Sequence, residues 1–274
     1  MSINGRTALV TGANSGIGLA TVIELAKRGF HSVGTVRSEE KGRHVLAEAE
    51  KAGVTAETML LDVTDPEASA RVIEQLRPYA VINNAGLQIT GAIEEIEDDQ
   101  ARKALETMLL APIRLARLAI PHMRAAGRGR IVNVSSIYGV ATTPLTGWYQ
   151  AAKHGLEAIS DALRVEVAGA GIHVILVEPG GFNTGIWEDA TEQLSARDSS
   201  PYRTAYQRSL AGIKLSRPLR RDPARVAKVI GTAVSARFPR PRYLVGYDAM
   251  AMAAVERLVP TMVRDRITRL ALGL

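Results

Sequence analysis

Short runs of β-branched and aliphatic residues recur along the chain, each followed by a longer stretch with helical spacing. Thr7–Val10 precedes a helix from about Ser15 to Arg28, His31–Val36 precedes Glu39–Lys51, and Thr58–Leu61 precedes Pro66–Arg77. Ala80–Ile82 precedes a long stretch from Asp98 to Ala126. Arg130–Val134 precedes a helix from near Trp148 to Ala168. His173–Val177 leads into an irregular segment and then a helix near Pro223–Arg237, and Tyr243–Val245 closes the series. Val174–Val177 is apolar without alternation, the mark of a strand covered on both faces. Strand–helix alternation throughout predicts a doubly wound α/β fold.

Helix punctuation agrees with this division. Asp65 stands where a cap belongs, with Pro66 at the first helical position, and Gly29, Gly53 and Gly127 fall where helices should stop. Asp98 and Asp99 open the long stretch, where carboxylates favour the positive helix end. The acidic run Glu94–Asp99 therefore reads as capping and solvated surface, not as a metal site. Residues 185–216 show no clear period.

The 274 residues, 46% of them hydrophobic, fit one domain spanning residues 1–274. The absence of cysteine removes disulfides, thiolate metal sites and a cysteine nucleophile. No apolar run reaches the roughly 20 residues of a membrane span. The N-terminus lacks the basic and apolar blocks of a signal peptide, so a cytoplasmic protein is expected. The five histidines show no ligand spacing, and no metal is expected.

The net charge of +6 divides into −5 over residues 1–193 and +11 over residues 194–274. A basic third of this kind attracts anions. With aromatics at 4%, a solvated face with subunit contacts is favoured over a nucleic-acid surface. Residues 237–274 carry apolar clusters, Met250–Val255 and Leu258–Val263, at near-helical spacing. Such stripes pack on the body or on a second subunit, an anionic lipid surface being the rival.

Three motifs carry chemistry. The first strand runs into Thr11-Gly12-Ala13-Asn14-Ser15-Gly16-Ile17-Gly18. Glycines on a strand-to-helix turn let the backbone approach a pyrophosphate, which the helix N-terminus then attracts. At the end of the second strand stands Arg37, where an acid would bind an NAD ribose; from there no Asp or Glu occurs until Glu39. A guanidinium matches a 2′-phosphate, so NADP is expected, with NAD the alternative. Third, Tyr149 and Lys153 share a helix face, where an ammonium near a phenol lowers its pKa into a usable acid/base range. Chance predicts only about 0.18 pairs at this spacing, and this is the one that occurs.

Taken in order, Thr11–Gly18, Asp62, Asn83-Asn84-Ala85-Gly86, Ser135-Ser136, Tyr149-x-x-x-Lys153 and Pro179-Gly180 with Thr184 resemble the short-chain dehydrogenase/reductase family from Thr7 to about Tyr247. The resemblance implies a Rossmann sheet of about seven parallel strands, a nicotinamide cofactor, and hydride transfer between it and a carbonyl or secondary alcohol. It makes Tyr149 the proton donor or acceptor, Lys153 its partner and the holder of the nicotinamide ribose, and Ser136 the hydrogen-bond donor to the substrate oxygen. Asp62 and Val63 resemble the adenine contacts. Asn84, Ala85 and Gly86 form the cofactor floor, and Thr184, after Pro179 and Gly180, holds the carboxamide. It further implies a mobile lid over about 185–216, a C-terminal extension over about 248–274, and homodimers or homotetramers.

Two departures stand out. Met108 occupies the place of the family's helical asparagine, and a methionine neither holds a water by an amide nor opens a helix backbone for one. Ser15 stands where NADP-preferring relatives often carry a basic residue. The apolar set Leu145, Trp148, Phe182, Ile186 and Trp187 flanks the expected site. The reading is an NADP(H) oxidoreductase for a ketone or secondary alcohol of an apolar molecule, resembling the steroid- and retinoid-handling branch. A cofactor-binding protein of the same fold with little turnover is the alternative.

Overall fold

The computed structural model describes residues 6–197 and 199–274. Strands β1 (Thr7–Val10), β2 (His31–Val36), β3 (Glu57–Leu60), β4 (Ala80–Asn83), β5 (Gly129–Val134), β6 (Ile172–Pro179) and β7 (Arg242–Val245) form one sheet in the order β3-β2-β1-β4-β5-β6-β7. Every pairing is parallel. The order reverses between β1 and β4, so a crevice opens beyond their carboxyl ends.

Alternate strand residues feed two cores. Ala8 and Val10 of β1 and Ile175 of β6 meet α1 (Gly16–Lys27), α2 (Glu39–Lys51) and α9 (Ala224–Ser235). Leu9 and Val174 point the other way, onto α3 (Pro66–Leu76) and α5 (Ala111–Ala125). Such two-sided burial explains why the central strands read as continuous apolar runs. Asp65 accepts from the backbone N–H of Glu67 and Ala68 at 2.9 Å each, capping α3 with Pro66 at its start.

The long stretch from Asp98 is interrupted. Helix α4 (Asp98–Leu105) passes into α5 through a π turn over Glu106–Leu110, in which the Ala111 N–H bonds the Glu106 carbonyl. The cause is Pro112, which has no N–H to offer the Met108 carbonyl and whose ring crowds it. The backbone is therefore wound wider at Met108 because of the residue four positions on, not because of the methionine.

Beyond β5, α6 (Gly147–Glu166) lies against β6. Residues 185–216, which lack a sequence period, form two helices, α7 (Ile186–Ser195) and α8 (Arg203–Ser216). The chain ends in α10 (Tyr247–Leu258) and α11 (Thr261–Leu272), separated at Pro260. No described helix is long and apolar enough to cross a membrane.

Helix α1 sits so close to β1 that only Gly18 fits. A Cβ there would lie 2.2 Å from the Gly12 carbonyl oxygen and 2.6 Å from Nδ2 of Asn84. Gly18→Ala is expected to cost about 1–3 kcal/mol, as overpacking does, and to lower the melting temperature by several degrees. An unchanged melting temperature would show that the two elements are free to separate.

Candidate active site

The crevice is built first from backbone. Gly12 and Gly16 adopt φ of +65° and +54°, values that suit glycine. Ser15 is extended at the head of α1 and its side chain makes no cap, so the first N–H groups of the helix face outward. The Thr11 hydroxyl accepts from the N–H groups of Asn84 and Ala85 at 3.0 Å each. The Asn84 amide donates back to the carbonyls of Thr11 (2.9 Å) and Gly12 (3.1 Å). The glycine turn and the Asn83–Gly86 loop are therefore one rigid unit. Thr184 closes over it: a Cβ on Gly16 would meet the Thr184 methyl at 3.1 Å.

A cavity of about 790 Å³ begins there. Ile17, Asn84, Gly86, Pro179, Gly180 and Thr184 line one part of it, and Ser136, Tyr149 and Lys153 another. The structure thus brings nine of the expected site residues to one space. Gly12, Asn14, Ser15, Gly16, Gly18 and Ala85 form the turn and loop beside it and do not line it. Arg37, Asp62 and Val63 also lie outside the cavity lining, at and beyond the ends of β2 and β3. Arg37 is exposed and forms no ion pair among the described residues. Asp62 accepts from the hydroxyl (2.7 Å) and N–H (2.9 Å) of Thr64, which hold its carboxyl below the usual range, with a weaker pull from Arg37.

Ser136 begins a short 3-10 turn, Ile137–Gly139, and accepts from the Tyr138 N–H at 3.2 Å. The Tyr138 ring meets that of Tyr149 edge to face, 6.4 Å between centroids, a packing that the sequence pattern did not single out. Lys153, also buried, donates to the Val134 carbonyl at 2.8 Å, and its nitrogen lies 5.8 Å from the Tyr149 ring centre. Burial pushes the Tyr149 hydroxyl up to about 12 despite the Ser136 hydroxyl, which pulls it down. The same burial brings Lys153 down to about 8, against the field of Glu157. Desolvation is the largest influence on the phenol, with Tyr138 adding to it, and the phenol is protonated in the free protein.

Glu157, one turn beyond Lys153, was legible from that spacing but carried no motif. It is buried, and with Glu178 and Asp161 it shares one guanidinium. Arg242 on β7 reaches Asp161 at 2.6 Å and both Glu157 and Glu178 at 3.2 Å. Burial and the neighbouring Glu157 raise Glu178 to about 7. Glu157 is raised too, by burial.

Met108 lines the cavity and packs with Tyr149 and Ala152. Leu145, Phe182, Ile186 and Trp187 form its apolar wall, whereas Trp148 does not reach it and packs beside Met108 instead. His154 turns back to the Gln150 carbonyl at 3.0 Å. Glu95 departs from the expected solvated role: it is the anchor for the segment after α7. Arg197, Ser200 and Tyr206 all bond its carboxylate, while Gln193 accepts from the Thr90 N–H at 2.7 Å and donates to the Gln88 carbonyl at 3.0 Å. No cluster of three or more candidate metal ligands occurs among the described residues.

Residues 6–195 match the short chain dehydrogenase family, and the chain belongs to it. It is 32% identical to a 3-ketodihydrosphingosine reductase of Bacteroides thetaiotaomicron, covering 87% of each chain. It is 29% identical to an NADPH-dependent 3-dehydrocapnine reductase of Ornithobacterium rhinotracheale, covering 96% of this chain and 95% of that one. Retinol dehydrogenase 16 of Mus musculus is 30% identical, over 97% and 88% of the two chains. Among solved structures, a short-chain dehydrogenase from Streptomyces avermitilis superposes with a TM-score of 0.79 at 30% identity, over 97% and 96% of the two chains.

The raised Glu178 sets a pH dependence. Its ordinary value is 4.5 and its folded value about 7, so folding favours the protonated form. The stability it contributes is full below about pH 4.5 and is lost as pH rises through about 7. Glu178→Gln should flatten that fall, visible as a smaller difference in melting temperature between pH 5 and pH 8 than in the parent. Equal differences in the two proteins would mean that Glu178 is ionised in the fold throughout.

Proposed function

We propose that the protein is an NADP(H)-dependent oxidoreductase that acts on a ketone or secondary alcohol of an apolar small molecule. The observation that carries this is the convergence of Ser136, Tyr149 and Lys153 on one cavity that lies beside the glycine turn and is walled by Leu145, Phe182, Ile186 and Trp187. The residues present fit a dinucleotide. The positive-φ glycines leave room where side chains would stand, the uncapped start of α1 offers N–H groups to a pyrophosphate, and the unpaired Arg37 suits a 2′-phosphate. On this reading Asp62 and Val63, beyond the end of β3, take the adenosine, and Thr184 and Gly180, which line the cavity, take the nicotinamide end. When bound, the dinucleotide supplies or takes up the hydride.

The chain's own residues then manage the oxygen and its proton. Ser136 and Tyr149 donate to a carbonyl oxygen in the cavity, and these donors strengthen as negative charge develops there. A phenol held protonated is ready to give its proton, which suits reduction of the carbonyl. The Lys153 ammonium, fixed by the Val134 carbonyl, faces the cavity to steady the phenolate that remains. Leu145, Phe182, Ile186 and Trp187 exclude water and select apolar substrates. The names of the sphingosine-type and retinol-type relatives support the same substrate class.

Tyr149→Phe should keep dinucleotide binding and lose more than nine-tenths of the turnover of a hydrophobic ketone. Retention of a tenth or more of the rate would assign the proton to another group. In titration calorimetry NADPH should bind at least tenfold more tightly than NADH, about 1.4 kcal/mol. Arg37→Asp should reverse the order, and equal affinities in the parent would remove Arg37 from this role.

A further inference from the structure

Helices α10 and α11 are turned the wrong way round for a soluble protein. An amphipathic helix normally buries its apolar stripe. Here Ala249 is the one buried residue of α10, and α11 has none. On α10 the outward arc carries Met250, Val255 and Leu258, and on α11 it carries Met262, Ile267 and Leu270. Leu258, Met262 and Leu270 are 77%, 85% and 72% exposed.

The polar groups do the attaching. Asp248 pairs with Arg221, Glu256 pairs with Arg264, and Arg208 of α8 donates to the carbonyls of Leu270 and Ala271 at 2.8 and 3.1 Å. Spacing of about 100° per residue places the charges that share the outward arcs. They are Arg257 on α10, and Arg266 and Arg269 on α11; Asp265 stands at the margin of its arc and forms no ion pair among the described residues. Apart from Asp265, the acids of these helices are spent in pairs, and cations stand among the exposed apolar side chains.

The same elements frame the mouth of the cavity. Met252, Ile267, Thr268, Ala271 and Leu272 line it from α10 and α11, and Leu219, 75% exposed, lines it from the turn after α8. Ile267 is 60% exposed and lines the cavity at once, so the rim is apolar where it meets solvent.

We propose that the outward faces of α10 and α11 dock the protein on an anionic lipid surface, with the mouth of the cavity turned toward the acyl region. Apolar side chains enter the headgroup boundary while Arg257, Arg266 and Arg269 meet lipid phosphates, the arrangement of an interfacial helix. A second copy is the poorer occupant. Two-fold docking through this face brings the three arginines of each copy into one interface, with only Asp265 of each copy to oppose them. The docking stands on these helices alone; direct delivery of an apolar substrate from the lipid rests on the function proposed above.

The test is co-sedimentation of the full chain with vesicles of phosphatidylglycerol and phosphatidylcholine, and with phosphatidylcholine alone. Binding to the anionic vesicles is expected to be at least tenfold stronger and to weaken with added salt. Leu258→Asp with Met262→Asp should abolish it, and the triple change of Arg257, Arg266 and Arg269 to Gln should reduce it at least tenfold. Both sets of side chains are exposed, so melting temperatures should stay unchanged. Absence of binding to the anionic vesicles overturns the proposal, as does binding that survives both variants. So does a dimer, seen by sedimentation velocity without lipid, that Leu258→Asp and Met262→Asp dissociate. None of these readouts needs turnover, so a failure here leaves the oxidoreductase reading intact, and an inactive protein leaves the docking intact.

Discussion

Everything at the site depends on the crevice between β1 and β4, and on the few hydrogen bonds that keep it open at a fixed width. Parallel strands that diverge in sequence order leave their carboxyl ends uncovered. The Thr11 hydroxyl and the Asn84 amide then tie the two strand ends together with four bonds. Because these bonds use up backbone groups that would otherwise be orphaned, the glycine turn cannot relax into the gap. Gly18 lets α1 come down on this unit, and Thr184 comes over it from the other side. The space that remains is shaped by backbone, and it exists before any ligand enters.

At the inner end the governing effect is burial. Tyr149 and Lys153 both sit in a low-dielectric pocket, and desolvation drives each toward its neutral form. Their proton affinities move apart, from ordinary values near 10 to a phenol at about 12 and an ammonium at about 8. The phenol is then the stronger holder of a proton, which is the wrong order for abstraction and the right one for donation. The carboxylates behind Lys153 belong to the same pattern. Glu157 and Glu178 are raised by burial, and Arg242 bridges them to the more exposed Asp161. A positive charge in the cavity would act on both groups, favouring the phenolate and the neutral lysine.

Periodicity carried the sheet and most of the helices, because burial on both faces writes continuous apolar strands and burial on one writes a helical stripe. The Tyr149–Lys153 spacing and the glycine turn carried the site for the same reason: local geometry fixes them. Features that depend on distant partners were not legible. Residues 185–216 show no period since α7 and α8 pack on one another and on the loop before α4, where Glu95 gathers Arg197, Ser200 and Tyr206. An acidic run gave no hint that one of its members was an anchor. The π turn at Met108 arises from Pro112, a residue read as part of a regular helix. Trp148 and Trp187 looked alike in sequence, yet one packs beside Met108 and the other faces the cavity.

The two sides of the cavity are held by different forces, and this divides their freedom. Toward β4, α7 and α8 are fastened by Gln193, by the Glu95 cluster and by Tyr206, whose hydroxyl also accepts from the Ala92 N–H. Tyr206 is among the most deeply buried large side chains. Toward the C-terminus, α11 touches the body chiefly through α8, and α10 through β7 and the turn after Ser136. Its ties there are ion pairs and arginine–carbonyl bonds at the surface, each worth about 1 kcal/mol or less where exposed. Opening at the fastened side would cost several buried contacts, whereas shifting α10 and α11 costs few. An apolar molecule entering the cavity therefore meets least resistance at the C-terminal rim, where Leu219, Ile267 and Leu272 already present an apolar lip.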